Sequence, residues 1–129
     1  MAAIVFLDTH VAIWLYEGRA ELIPPRVRAL IEDEAPLLSP IVMLEIEYLF
    51  ETGRMRERAP SVLQALSRDI GLRLCDLPFA DVIVTALRQS WTRDPFDRII
   101  VAHAAARRAP LITRDAAIRA HYSRALWGH

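Results

Sequence analysis

Apolar residues fall in short runs separated by stretches of helical periodicity, and the two kinds of segment alternate along the chain. Residues 3–7 are an apolar run ending at Asp8-Thr9, which reads as a buried strand. A short helix is expected over residues 10–17, and Pro24-Pro25 opens a second one to about Glu34, prolines being tolerated in a first turn. Leu37-Leu38-Ser39 predicts a very short strand, after which Pro40 starts a longer helix through about Glu51, closed by Gly53. A helix over 59–69 follows, and Gly71 breaks the chain before a strand at 72–75. Helices are then expected over 79–89 and 94–108, a strand at 110–113, a short helix from Asp115, and an edge strand at Leu126-Trp127.

Short apolar strands alternating with helices, without hairpin turn signals, predict an α/β fold with a parallel sheet covered on both faces. At 129 residues the chain is expected to be one domain over 1–129. In open sheets of this kind ligands bind beyond the carboxyl ends of the strands. Asp8 directly follows the first strand, Ser39 ends the second, and Asp115 lies two residues past a strand ending at Thr113. The rule turns a scatter of acids into a site.

Composition narrows the function classes. The chain is 53% hydrophobic with four glycines, enough for a real core and unlike a disordered segment. No segment approaches the roughly 18–20 apolar residues that a membrane helix needs. The N-terminal run meets Asp8 after seven residues without a basic lead, too short for a signal peptide, so a cytoplasmic protein is expected. The lone Cys75 cannot form an internal disulfide and reads as a small core residue. Formal net charge is zero, so no global field draws the protein to nucleic acid. All sixteen basic residues are arginine. Arginine suits bidentate phosphate contacts, although a compositional bias, visible also in the many alanines, is the better explanation. The absence of lysine excludes mechanisms that need one.

Each acid has a structural reading. Asp8 and Asp115 fit helix caps, and Asp94-Pro95-Phe96-Asp97 fits an N-cap, a proline at the first position and an acid where the helix dipole favours it. Glu45 is harder to place that way. It shares the face Ile41, Leu44, Glu45, Tyr48, an apolar stripe expected to face the core, while Glu47, Glu51 and Arg54 fall on a solvated face. Asp97 likewise leads Ile100, Val101 and Ala104. A buried carboxylate needs a partner, a metal ion or a raised pKa. Converging carboxylates suit a hard cation such as Mg2+ or Mn2+. One cysteine and four scattered histidines, His10, His103, His121 and His129, offer no zinc spacing and read as surface or supporting residues. None of the glycines forms a phosphate loop.

The strand leading into Leu7-Asp8-Thr9-His10, then Ser39-Pro40 with Glu45, then Asp94-Pro95-Phe96-Asp97-Arg98-Ile99-Ile100-Val101-Ala102, and finally Leu111-Ile112-Thr113-Arg114-Asp115 occur in this order and resemble a PIN domain over residues 4 to about 127. Small size brings the VapC-like toxins of toxin–antitoxin pairs closest. The resemblance implies a three-layer α/β/α fold with four to five short parallel strands. It also implies a metal-dependent ribonuclease whose Asp8, Glu45, Asp97 and Asp115 hold one or two Mg2+ or Mn2+ ions. Thr9, Ser39 and Thr113 match positions whose hydroxyl supports a carboxylate or the water of a bound ion. Asp94 matches a capping acid and Arg98 a basic position that pairs with an acid or approaches phosphate. The implied partners are an RNA substrate (tRNA, rRNA or mRNA), a VapB-like antitoxin that blocks the cleft, and a second copy in a homodimer.

An acidic pocket repels RNA, so arginines on its rim are expected to assist binding: Arg54, Arg56 and Arg58, with Arg93, Arg98 and Arg114 nearer the acids. Apolar positions such as Ile46, Leu49 and Phe50 serve either a dimer interface or the core. Two other readings stand beside the nuclease. A receiver-like phospho-acceptor domain is also a small α/β fold with an acidic pocket, but it uses a lysine that is absent here. A PIN-like binding module without catalysis would not need acids at all four motif positions.

Overall fold

The computed structural model describes residues 3–128. Its sheet has β1 (Ile4–Leu7) at the centre, β2 (Ala35–Leu38) and β3 (Arg73–Leu74) on one side, and β4 (Leu111–Ile112) and β5 (Ala125–Leu126) on the other. All neighbours are parallel, with Phe6 aligned to Leu37 and to Leu111. Seven helices connect and cover them: α1 (Thr9–Tyr16), α2 (Pro25–Asp33), α3 (Ile41–Glu51), α4 (Ala59–Ile70), α5 (Phe79–Ala86), α6 (Pro95–Ala106) and α7 (Ala116–His121). The result is the expected three-layer α/β/α arrangement. Val5, Phe6 and Leu7 are almost wholly buried because the central strand is covered on both faces. The chain builds outward from β1 through β2 to β3, then returns to β1's other side with β4. That reversal opens a crevice between the carboxyl ends of β1 and β4.

Several boundaries differ from the sequence reading for identifiable reasons. The second strand starts at Ala35, earlier than expected, and carries Pro36 inside it; the proline lacks a donor and reads as punctuation, yet it pairs in register with Val5. The fifth helix stops at Ala86 because Arg98 takes the carbonyls of Ala86 and Leu87, at 2.8 and 3.3 Å, and that of Thr92 at 3.3 Å. A 3-10 turn at Ala20–Leu22 was not foreseen.

The face assigned to α3 is corrected. Val42 and Ile46 point into the core with no exposure, whereas Leu44 and Tyr48 are about half exposed. The buried stripe is rotated by one residue, so Glu45 stands at the border of core and solvent. Ile46 is core, and Leu49 and Phe50 are half-buried and pack against that core. On α6 the expectation holds: Ile100, Val101 and Ala104 are buried behind Asp97. Cys75 is a buried free thiol. Among the described residues no helix is long and apolar enough to cross a membrane.

The turn after α4 sets the entry to β3. Gly71 adopts φ 70°, in the left-handed region, where its N–H bonds Ser67 O at 3.1 Å. A Cβ there would meet no atom within 4 Å, so the only penalty for a side chain is the backbone conformation itself. Gly71→Ala is therefore expected to cost about 1 kcal/mol, and Gly71→Asn clearly less, by urea denaturation. Equal stabilities for alanine and glycine would contradict this.

Candidate active site

The carboxyl end of the sheet is organised around Asp8. Leaving β1, it caps α1 by accepting the Thr9 N–H on Oδ1 at 2.8 Å, and its Oδ2 accepts the Thr113 hydroxyl at 2.6 Å. Thr113 follows β4, so this bond spans the crevice between the two strands. The same Thr113 oxygen accepts the Asp115 N–H at 3.0 Å, and Asp115 Oδ1 caps α7 by accepting the Ile118 N–H at 2.9 Å. On the other flank the Thr9 hydroxyl donates to Glu45 Oε1, tying α3 to the start of α1. Asp94 Oδ1 caps α6 through the N–H groups of Phe96 and Asp97, at 2.9 and 3.3 Å. Capping and site formation thus coincide. A cap fixes the acid's rotamer at a positive helix end, and three such ends point at one place.

That place is a cavity of about 360 Å³ whose lining includes five carboxylates: Asp8, Glu45, Asp94, Asp97 and Asp115. Their electrostatics follow from proximity and burial. Burial raises the Asp8 carboxyl despite its bonds to Thr113 and Thr9, and raises Glu45 despite the Thr9 hydroxyl. Asp97 is pushed up to about 7, first by burial and then by the charges of Asp94, Asp8, Asp115 and Glu45. No described donor meets its carboxylate. A half-buried acid facing four others is a place for positive charge.

The structure brings all four predicted acids together, but not every residue expected to support them. Thr9 and Thr113 hold carboxylates as anticipated. Ser39 does not: it is buried and bonds His103 Nδ1 at 2.7 Å, linking β2 to α6 behind the site. His103, expected at the surface or beside the site, is a core residue. Arg98 pairs with no described acid: its guanidinium bonds the carbonyls of Ala86 and Leu87 at the end of α5 and that of Thr92. Arg58 pairs with Glu47 at 2.6 Å. Arg54 and Arg93 are exposed, bond Thr52 and Ser90 locally, and are not among the residues lining the cavity. Arg114 is the one arginine in that lining. His129 lies outside the described residues. Four lining residues are absent from the sequence reading in that role: His10, Val11, Trp14 and Asp94. His10 and Trp14 are one turn apart on α1, a spacing that could have flagged them.

The comparisons with known proteins bear on the whole chain. The PIN domain family matches residues 5–123. This chain belongs to the PIN-domain family. The PIN domain is also 30% identical over 122 residues to Ribonuclease VapC22 of Mycobacterium tuberculosis, covering 91% of each chain. Its fold is shared by VapBC2 from Rickettsia felis bound to a promoter DNA fragment, with TM-score 0.64, 18% identity and 92% of each chain covered. A toxin–antitoxin complex from Klebsiella pneumoniae gives TM-score 0.65 at 22% identity, covering 97% of this chain and 98% of that one. VapBC-1 from nontypeable Haemophilus influenzae gives 0.66 at 20% identity, with coverage of 97% and 96%.

Because Asp97 holds its proton more tightly folded than unfolded, the metal-free PIN domain loses stability as pH rises from about 4 through about 7. Asp97→Asn removes that loss. In chelator at pH 8 the variant is expected to be more stable than wild type by about 1 kcal/mol, after solvent screening on the open side. The difference should shrink as pH falls toward 5. Urea denaturation at both pH values checks it, and a variant less stable at pH 8 would contradict it.

Proposed function

We propose that this PIN domain is a metal-dependent endoribonuclease, the toxin of a VapBC-type pair, with Asp8, Glu45, Asp97 and Asp115 as its catalytic centre. The observation that carries the reading is the convergence of these carboxylates in one cavity at the sheet's switch point. The 30% identical ribonuclease and the neighbours solved as toxin–antitoxin complexes support it.

The donors fit a hard cation, since all are carboxylate oxygens, and burial and the neighbouring acids raise Asp8, Glu45 and Asp97. Among the described residues no three acidic, histidine or cysteine side chains are already gathered around one point. Mg2+ and Mn2+ keep several of their own waters, so these acids would hold such an ion directly or through its waters. Such an ion supplies positive charge that eases deprotonation of water and offsets charge on the phosphate.

The side chains divide the remaining work. Asp8 is the rigid member, with both oxygens held by donors. Glu45 is steered by Thr9, and Asp97 presents an unfixed carboxylate to the same cavity. Asp115 has Oδ1 in its cap, leaving Oδ2 to orient the attacking water or to serve a second ion. Hydrolysis then joins the water oxygen to phosphorus as the P–O bond to the leaving nucleotide breaks. The water's proton passes to an acceptor among the acids, and the leaving oxygen gains one. The substrate is RNA, whether tRNA, rRNA or mRNA. The partners are a VapB-like antitoxin that occupies the cleft and a second copy of the chain in a homodimer.

The test is cleavage of a mixed tRNA and mRNA pool by purified, antitoxin-free protein with Mg2+ or Mn2+. Cleavage should vanish in chelator and fall on the order of 10³-fold in Asp97→Asn. Folded protein that cuts no RNA, or an Asp97→Asn variant that cuts as well as wild type, would overturn the reading.

A further inference from the structure

A guanidinium beside carboxylates ordinarily makes forked ion pairs with them. Arg114 lines a cavity with five carboxylates and is followed in the chain by Asp115, yet it pairs with none of the described acids. Its side chain donates no hydrogen bond among the described residues. Instead its Cζ lies 5.0 Å from the ring centroid of Trp14. The indole is a fixed surface: Trp14 is 8% exposed, and Trp127 packs against it with ring centroids 6.0 Å apart. A cation over a ring uses the ring's face and leaves the in-plane N–H donors free. Arg114 is itself exposed. The arrangement keeps one arginine charged, oriented and unneutralised at the mouth of an acidic pocket.

We infer that Arg114 binds an RNA phosphate adjacent to the one being cleaved, and that Trp14 is its positioning residue. This rests on the ribonuclease reading and gives that site its contact with the substrate backbone. The guanidinium fork matches phosphate oxygens, and its position within the same cavity as Asp8 and Asp97 places the contact next to the reacting phosphate. Were Arg114 drawn onto Asp115 or Asp97, it would lower the charge of the acids and lose its own donors. The indole prevents both.

The experiment measures KM and kcat on an RNA that wild type cleaves, across a salt series, for Arg114→Gln, Arg114→Lys, Trp14→Leu and Trp14→Phe. Arg114→Gln is expected to raise KM about tenfold, the loss of a charged hydrogen bond, with a much smaller fall in kcat. The slope of log KM against log salt should drop by about 0.7, one phosphate contact on a single strand. Arg114→Lys should keep the salt slope and still raise KM, having charge without the fork. Trp14→Leu should raise KM in the same direction but add nothing when combined with Arg114→Gln. Near-ultraviolet circular dichroism checks its fold, and Trp14→Phe, which keeps a weaker ring face, replaces it in the cycle if it does not fold. An unchanged KM and salt slope in Arg114→Gln would overturn the inference while leaving the nuclease intact. Effects of Arg114 and Trp14 that simply multiply would overturn the positioning role. Wild-type protein that cuts no RNA would remove the ribonuclease reading and this inference with it.

Discussion

The hydrogen bond from Thr113 to Asp8 is the contact on which the rest of the site depends. It joins the ends of β1 and β4 across the point where the sheet reverses its order of construction, and it is buried. Burial drives the Asp8 carboxyl toward the neutral form, and the two donors it receives oppose that drive. From this fixed point the other acids are placed in short steps. Thr113 turns Asp115 back onto α7, and Thr9 reaches across to Glu45. Asp97 arrives independently, on a helix started by the Asp94 cap and anchored by its buried apolar face.

The site works against the fold that carries it. Five carboxylates around one cavity repel one another, and Asp97 is the member left without a donor to offset that repulsion. Such a cluster persists because α1, α6 and α7 present their positive ends to it and because a rigid parallel sheet holds the ends still. Stability given up at a functional site in exchange for charge at the right place is a recurring feature of enzymes. Arg114 extends the logic. An arginine paired with the acids would take the place meant for a metal ion, and its contact with the Trp14 face is an alternative to such a pair.

Much of this was legible in the residues, and the failures have physical causes. Apolar runs and helical spacing located the five strands and seven helices to within a few residues, because burial imposes those periods. Asp8, Asp97 and Asp115 could be named because strand ends and a first helical turn are places that local sequence defines, whereas Glu45 was named from a stripe that the structure rotates and from the family resemblance. The orientation of α3 was missed: a helix apolar on nearly every side offers two stripes, and only tertiary packing decides that Val42 and Ile46 face inward rather than Ile41 and Leu44. Ser39 and Arg98 were given partners near the acids, but their hydrogen-bond partners are chosen by packing: His103, 64 residues from Ser39, and the carbonyls of Ala86, Leu87 and Thr92, 12, 11 and 6 residues before Arg98. The placement of Trp14 beneath Arg114 is of the same kind, a meeting of α1 with the loop after β4 that no local pattern announces.

The claim that most needs testing is that the acids form one repulsive cluster completed by a divalent cation. Thermal unfolding of antitoxin-free protein during a manganese titration addresses it without any RNA. A saturating rise in Tm for wild type, lost in Asp8→Asn, is the predicted result. No rise, or an equal rise in both proteins, would contradict the account.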